Sequence, residues 1–115
     1  MRRGDAVWVD LEPVRGSEAN QRRPAVVVSN DGANQAAERL GRGVVTVVPV
    51  TTNTSRVFPF QVLLPARRCG LARTSKAQAE QIRSVAVERI GGGAGRLPPD
   101  LLEHLDDAIR LHLGV

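Results

Sequence analysis

A polar segment directly before an apolar run holds the side chains of this sequence that are best suited to chemistry. Residues 16–23 read GSEANQRR and include the hydroxyl of Ser17, the carboxylate of Glu18 and the guanidinium of Arg23, and the apolar run 25–28 follows. A carboxylate can accept a proton, and an arginine can stabilise negative charge that develops on a phosphate. The simpler interpretation is a solvated turn whose charges face water.

RNA is a substrate that such groups could cleave. Cleavage of RNA needs no metal ion or cofactor, because its own 2′-OH is available as the nucleophile. The protein must accept a proton from that hydroxyl, stabilise charge on the phosphate and help the 5′ oxygen to leave. Glu18 and Arg23 could serve the first two tasks, and the hydroxyls of Thr51 and Thr52, at the end of a predicted strand, could donate to phosphate oxygens.

The residue types on which most other chemistries depend are sparse. Both histidines, His104 and His112, fall in a predicted terminal helix, and Cys69 is the single cysteine. We therefore expect no internal disulfide and no multi-thiolate metal site. The sequence also has no phosphate-binding loop of the G-x-x-x-x-G-K-[ST] type. Any enzymatic activity is predicted to use no metal, no cofactor and no histidine.

Charge is distributed unevenly along the chain. The net charge of +4 comes from 15 arginines and one lysine, Lys76, against 12 acidic residues. Residues 98–115 contain four acidic residues and one arginine, a local charge of −3, so residues 1–97 carry +7. A basic body favours a nucleic acid or another polyanion as partner, although codon bias could also explain the preference for arginine.

Length and hydropathy predict one domain covering residues 1–115. No apolar run approaches the roughly 20 residues needed to cross a bilayer, and the N-terminus is not followed by the apolar region of a secretory signal. We expect no membrane association and a cytoplasmic location.

Short β-branched runs between Gly and Pro turns predict a mainly β fold. A small barrel or sandwich is favoured over a parallel α/β sheet. The segment 33–40 could be a loop or one short helical piece, and the glycines at 91–93 are expected to break the chain. The predicted strands are 5–11, 24–29, 44–51, 58–64, 77–85 and 95–97.

The C-terminal segment has the periodicity of a helix. Apolar residues spaced by three, four and four positions form one face, and this face is expected to pack on the barrel. Pro98 and Pro99 are typical of a helix start, and Gly114 of a helix end. The apolar positions are Leu102, Leu105, Ile109 and Leu113.

Several segments together resemble the MazF/PemK family of toxin endoribonucleases, and the MazF branch most closely. The resemblance extends from about Arg3 to the terminal helix. It rests on RGDAVWVDLEP, RGSE, RRPAVVVSND, VVPVTTNT, FPFQVLL and AEQIRS, in that order. It implies an SH3-like small barrel of the CcdB/PemK type with a C-terminal helix. It also implies a homodimer that cuts single-stranded RNA, chiefly mRNA, at short sequences, and a MazE-like antitoxin that blocks the RNA groove.

The resemblance also assigns roles to individual residues. The RP motif implies that Arg23 is the phosphate clamp and proton donor, and the TT motif that Thr51 is catalytic. Glu18 corresponds to the GSE glutamate, either as a base or as an organiser of its loop. The implied RNA-binding residues, the last three on an exposed strand, are Ser17, Thr52, Arg56, Glu80, Gln81 and Arg83.

Two features depart from the family pattern: the loop 52–57 is irregular beside the family's usual loop, and the strand at residues 78–80 differs. The PemK branch places an Arg and an Asp where this sequence has Gln78 and Glu80. The acid–base assignment of that branch therefore does not transfer to Glu80. Arg22 is expected to be a solvent-facing charge or an antitoxin contact rather than part of the site.

Two other functions remain open on the same barrel. A CcdB-like toxin that poisons gyrase would function through its C-terminal residues, without Arg23. A non-catalytic RNA-binding module would bind RNA without cleaving it, and its polar loop would only position phosphates. The GSE, RP and TT residues favour the endoribonuclease, with 2′-OH attack giving a 2′,3′-cyclic phosphate or 3′-phosphate and a 5′-OH.

Overall fold

The computed structural model describes residues 1–11 and 22–115. Seven strands form one antiparallel sheet: β1 (Asp5–Asp10), β2 (Arg22–Val27), β3 (Val44–Thr51), β4 (Gln61–Leu64), β5 (Ser75–Gln78), β6 (Arg83–Ala86) and β7 (Ile90–Arg96). The α-helices of the described ranges are α1 (Asp31–Leu40), α2 (Ala66–Cys69) and α3 (Pro99–Leu113). The strand order is β4-β5-β3-β2-β1-β7, with β6 also paired to β3. The predicted mainly β, small barrel-like fold with a C-terminal helix is confirmed; in the described ranges the barrel is open between β4 and β7.

Strand β3 organises the sheet, because β2 pairs along one of its edges while β6 and then β5 pair along the other. The prediction of a single strand over 77–85 is wrong, since the 3-10 turn Ala79–Gln81 separates β5 from β6. Val47 pairs with Arg83, but Val50 pairs with Ala77, so three residues are left out of the ladder. Residue alternation cannot reveal this gap, because the alternation of small and polar side chains continues through the turn.

The sheet separates two apolar cores. On one face, α3 packs against a core that includes Val26, Val48 and Leu64. The other face, which we call the Thr51 face, carries Val27 and Val47 and is covered by α1. Successive residues of a strand alternate between these two faces.

The terminal helix is confirmed, with a slightly different buried stripe. Leu105 is fully buried, and Leu102 and Ile109 are partly buried against the same core. Leu113, at the other end of the predicted stripe, is 54% exposed. The apolar periodicity of the helix therefore extends one turn beyond its buried part.

Helix α1 resolves the ambiguity over 33–40 in favour of a full helix that begins at Asp31. Asn30 is its N-cap, and its Oδ1 accepts a hydrogen bond from the Ala33 N–H at 2.8 Å. Gly41 ends the helix in the left-handed conformation, at φ 66°. The Asn-Asp-Gly signal marks a helix start here, because the residue types that favour turns also favour N-caps.

Strand β7 shows that the expected chain break at the glycines 91–93 is wrong. The strand runs through them and pairs with β1 in an irregular register. Gly95 is required by packing, because a Cβ there would lie 2.3 Å from the carbonyl oxygen of Cys69. Glycine thus permits a close approach of two backbones rather than a break.

Two smaller differences concern the segment around β4. The predicted strand 58–64 begins only at Gln61, and residues 58–60 precede it outside the strand. The short helix α2 was not predicted, since four residues give no periodicity to detect. Among the described residues, no helix is long and apolar enough to cross a membrane.

Candidate active site

Arg23 and Thr51 lie at the ends of neighbouring strands. The last pair of the β2–β3 ladder joins Ala25 to Pro49. Arg23 and Thr51 each stand two positions beyond that pair, so strand alternation puts both on the Thr51 face. Arg23 is exposed and Thr51 is half-buried. The structure therefore brings together the two residues to which the resemblance assigns phosphate binding and catalysis.

The Thr51 hydroxyl is oriented by the turn that follows it. Its Oγ1 accepts a hydrogen bond from the Asn53 N–H at 3.3 Å. Because a hydroxyl can accept and donate at once, its own proton remains available for a phosphate oxygen. Asn53 Oδ1 in turn accepts from the Ser55 hydroxyl at 2.8 Å, which orders the turn. Thr52, between them, is exposed.

Lys76 is a residue of this region that the sequence analysis did not single out. It pairs directly with Thr51 in the β3–β5 ladder, yet its side chain is buried. Its Nζ donates to the carbonyl oxygen of Arg56 at 2.6 Å, so the loop after β3 folds over it. The only available signal was that this chain uses one lysine among 15 arginines. The exposed Arg56 side chain leaves this loop beside Thr51.

Glu80 and Gln81 do not lie on an exposed strand, as the resemblance implied, but on the 3-10 turn Ala79–Gln81. Gln81 is exposed. Glu80 is half-buried, and its Oε2 accepts a hydrogen bond from Gln61 Nε2 at 2.6 Å. Its Oε1 is buried and has no hydrogen-bond partner within the described ranges. This carboxylate is thus committed to Gln61, another residue that the sequence did not reveal.

Arg83 is exposed and stands opposite Val47, which places it on the Thr51 face. The three residues left out of the ladder have a consequence here. In an uninterrupted strand, Lys76 and Arg83 would be on opposite faces, because they are an odd number of positions apart. The turn brings both to the same face as Thr51.

Arg22 points away from this face. It pairs with Asp10 in the β1–β2 ladder and is exposed. A Cβ at Gly91 would lie 3.3 Å from Arg22 Nη2, so the guanidinium rests against β7. Ser17 and Glu18 fall in residues 12–21, outside the described ranges, and their roles stay predictions.

The remaining reactive residue types lie elsewhere. His104 and His112 are exposed on α3. Cys69 is buried, and desolvation raises the pKa of its thiol, which keeps it protonated and poorly nucleophilic. Within residues 1–11 and 22–115, no group of three or more His, Cys, Asp or Glu side chains could hold a metal ion.

Comparison with known proteins places the chain in one family. Residues 2–113 match the family described as PemK-like, MazF-like toxin of type II toxin–antitoxin system. The chain is 62% identical to endoribonuclease MazF9 of Mycobacterium tuberculosis over 98% of its own length and 96% of that protein. It is 35% identical to the endoribonuclease toxin MazF of Escherichia coli, over 96% and 92% of the two chains.

Solved structures agree with this placement. The MazF chain of a MazE–MazF complex from Deinococcus radiodurans superimposes with a TM-score of 0.79 at 28% identity, covering 100% of this chain and 96% of that one. Sequence similarity and structural similarity thus lead to the same assignment. The chain belongs to the PemK-like, MazF-like toxins of type II toxin–antitoxin systems.

Proposed function

We propose that this protein is a metal-independent, sequence-specific endoribonuclease that cuts single-stranded mRNA in the cytoplasm and thereby arrests growth as a toxin. The observation that carries the proposal is the position of Arg23 and Thr51 at adjacent strand ends on one sheet face. The 62% identity to an endoribonuclease over nearly the full length of both chains supports it. A gyrase-directed function is not favoured, because the relatives compared above are named endoribonucleases.

In the proposed reaction the 2′ oxygen forms a bond to the adjacent phosphorus while the bond from phosphorus to the 5′ oxygen breaks. The proton of the 2′-OH passes to a general base, for which Glu18 is the candidate. Arg23 stabilises the extra charge on the phosphate and gives a proton to the departing oxygen, which leaves as a 5′-OH. Solvent returns a proton to Arg23 and takes up the one that Glu18 accepted. The Thr51 hydroxyl donates to a phosphate oxygen. The other product is a 2′,3′-cyclic phosphate, which water can open to a 3′-phosphate.

The flanking RNA contacts surround this centre. Thr52 and Arg56 follow Thr51 in the exposed loop. Arg83 on β6, and Gln81 just before it, lie along the edge of β3 that is opposite β2. Ser17 is a further proposed phosphate contact. Glu80, the remaining proposed RNA-binding residue, acts by positioning rather than as a base, since its carboxylate is bonded to Gln61.

The proposed partners follow from a solved relative. The Deinococcus radiodurans MazF was crystallised with MazE. We infer a MazE-like antitoxin that covers the RNA-binding face of this chain, and a homodimer as the active species. A monomeric mass at full activity would contradict the dimer.

The decisive experiment incubates the purified protein with a long single-stranded transcript in excess EDTA. Wild type should cut at discrete sites, and Arg23→Ala should cut at these sites roughly 100-fold or more slowly. Arg22→Ala is the matched control, because it removes the same charge from the adjacent residue on the opposite face. It should cut at the parental rate.

The chemistry of the ends tests the mechanism separately. Labelling should find 5′-OH groups on the downstream fragments. If 5′-phosphates are found, 2′-OH attack is excluded. If a folded wild type binds the transcript without cutting it, the protein is a binding module instead.

A further inference from the structure

Two stacked phenylalanines lie in the loop that follows Thr51, and one of them is exposed. Phe58 and Phe60 stack with ring centroids 5.4 Å apart and planes 7° from parallel. Phe58 is 42% exposed and Phe60 is half-buried. The sequence has only three aromatic residues, and two of them lie in this loop rather than in either apolar core. Exposed rings contribute little to folding, so a contiguous apolar patch of this kind indicates a contact surface.

Two buried polar side chains hold this pair in place. Lys76 is only 7% exposed; its Nζ bonds the Arg56 carbonyl and lies 6.0 Å from the Phe58 ring centroid. Gln61 is 8% exposed, and its Oε1 accepts from the Phe58 N–H at 3.1 Å. The described residues give Lys76 no carboxylate partner, so a buried positive charge lies beneath the loop. Burying such a charge is costly, which argues that its position serves more than packing.

The same two side chains connect the aromatic pair to the active site. Lys76 pairs with Thr51 in the ladder, and Gln61 bonds Glu80 on the 3-10 turn. Phe58 is therefore connected through Lys76 to the strand end that carries Thr51, and through Gln61 to the turn that carries Gln81. Its position relative to both is fixed by hydrogen bonds and not by apolar contact alone.

We propose that Phe58, backed by Phe60, is the platform on which one base of the single-stranded RNA stacks next to the cleaved phosphate. Lys76 and Gln61 are positioning residues that fix the platform and so fix which phosphate of the RNA lies next to the stacked base. Aromatic rings stack with any base, and the buried charge below favours the neighbouring phosphates. This inference rests on the proposed endoribonuclease function.

RNA fits this patch better than a protein surface does. Stable protein interfaces bury about 800 Å² on each partner, and the single exposed ring of Phe58 is far smaller than that. Arg56, two residues before Phe58, is exposed, so a cationic side chain adjoins the ring. A second copy of the chain or the antitoxin would be an alternative occupant.

The test compares Phe58→Leu, which keeps an apolar side chain but removes the ring, with Phe58→Tyr, which keeps the ring. Val57→Ala is the matched control, with equal exposure and no ring to lose. Each variant is incubated with one long single-stranded transcript, and KM, kcat and the distribution of cut sites are measured.

We expect Phe58→Leu to raise KM roughly 10-fold and to broaden the distribution of cut sites. Phe58→Tyr and Val57→Ala should match wild type. Lys76→Met should broaden the cut sites as well, and Lys76→Arg should restore them. If wild type cuts and Phe58→Leu cuts the same sites with the same KM, the platform is refuted while the endoribonuclease stands. If wild type does not cut, the proposed function fails first.

A second measurement does not depend on the stability of the leucine variant. Phe58→Trp is made in a Trp8→Phe, Arg23→Ala background, so that the single indole reports on the platform and the transcript stays intact. Adding the transcript should quench its fluorescence. Absence of quenching with bound RNA would overturn the inference. A Phe58→Leu variant that loses only dimerisation or antitoxin binding would also overturn the inference.

Discussion

At the scale of single residues, the candidate site is a small set of groups whose effect depends on their neighbours. Thr51 is a strand residue whose hydroxyl is oriented by a hydrogen bond from the Asn53 N–H. Glu80 has the residue type of a base, but its bond to Gln61 gives it a structural role. Residue type narrows the possible chemistry, and the hydrogen-bond partner decides it.

Replacing Thr51 should affect catalysis more than binding. Thr51→Val preserves shape but removes the proposed donor to the phosphate. Cleavage of the transcript should fall by roughly 100-fold or more at nearly unchanged KM. Thr46→Val on the same strand is the control, because Thr46 is equally half-buried but lies on the opposite face. Equal loss in both variants would mean that strand stability, not the hydroxyl, is responsible.

A second residue-scale prediction concerns pH. Arg68 donates to both carboxylate oxygens of Asp100, at 2.7 and 3.0 Å, and thereby lowers the pKa of Asp100. Because the folded pKa is the lower one, this stabilisation is present above the ordinary pKa of about 4 and is lost as pH falls through the folded value. Asp100→Asn should lower Tm at pH 7, and the difference from wild type should shrink as pH falls through the folded pKa of Asp100.

The control for that measurement is Glu103→Gln on the same helix. Glu103 is exposed and has no ion-pair partner in the described part of the chain, so this variant should keep the wild-type Tm at pH 7. A difference for Asp100→Asn that persists unchanged into acid would show that the carboxylate stabilises α3 by some other route.

At the scale of elements, backbone contacts position the side chains. The 3-10 turn Ala79–Gln81 removes three residues from the ladder on β3 and thereby brings Lys76 and Arg83 to one face. The glycines of β7 likewise belong to the sheet, and Gly95 lets β7 pass close to the end of α2.

Replacing Gly95 should therefore destabilise the fold. A Cβ there would overlap the Cys69 carbonyl, and the backbones would have to separate. We expect Gly95→Ala to lower the free energy of unfolding by about 1–3 kcal/mol, measured by urea denaturation. Gly92→Ala is the matched control, since nothing lies within 4 Å of its Cβ position. Equal stability of the two variants would show that β7 can shift without cost.

At the scale of the whole molecule, charge and topology act together. Arg23 and Arg83 lie on the Thr51 face, while the acidic residues of the C-terminal segment lie on α3, which packs on the opposite face of the sheet. Binding of a single-stranded polyanion should therefore be directed to one side of the molecule.

The salt dependence of RNA binding tests this distribution. In an Arg23→Ala background, the logarithm of the affinity should fall linearly with the logarithm of salt concentration, and Arg56→Gln should reduce the slope by about 0.7. Arg110→Gln is the control, because Arg110 is exposed on α3, which packs on the opposite face of the sheet. An equal effect at both positions would mean that binding is a property of net charge alone.

The sequence by itself determined the family, the mainly β class and the terminal helix, and it predicted Arg23 and Thr51 as site residues. These depend on residue identity and on short periodicity, which are local properties. It left 33–40 open because turn formers and helix N-caps are the same residue types. It misread the glycines at 91–93 as a break, because glycine occurs in turns and in irregular strands alike, and only the pairing of β7 with β1 shows which applies.

Only the tertiary structure decided how the site is assembled. The sequence treated 77–85 as one strand, and in that arrangement Lys76 and Arg83 would face opposite ways. Strand pairing is non-local, so the three-residue gap opposite β3 has no local signal. That gap places Lys76 opposite Thr51 and Glu80 beside Gln61, and these contacts fix the Phe58 loop beside the site. Residue types specify which groups are available, and the register of distant strands determines which of them meet.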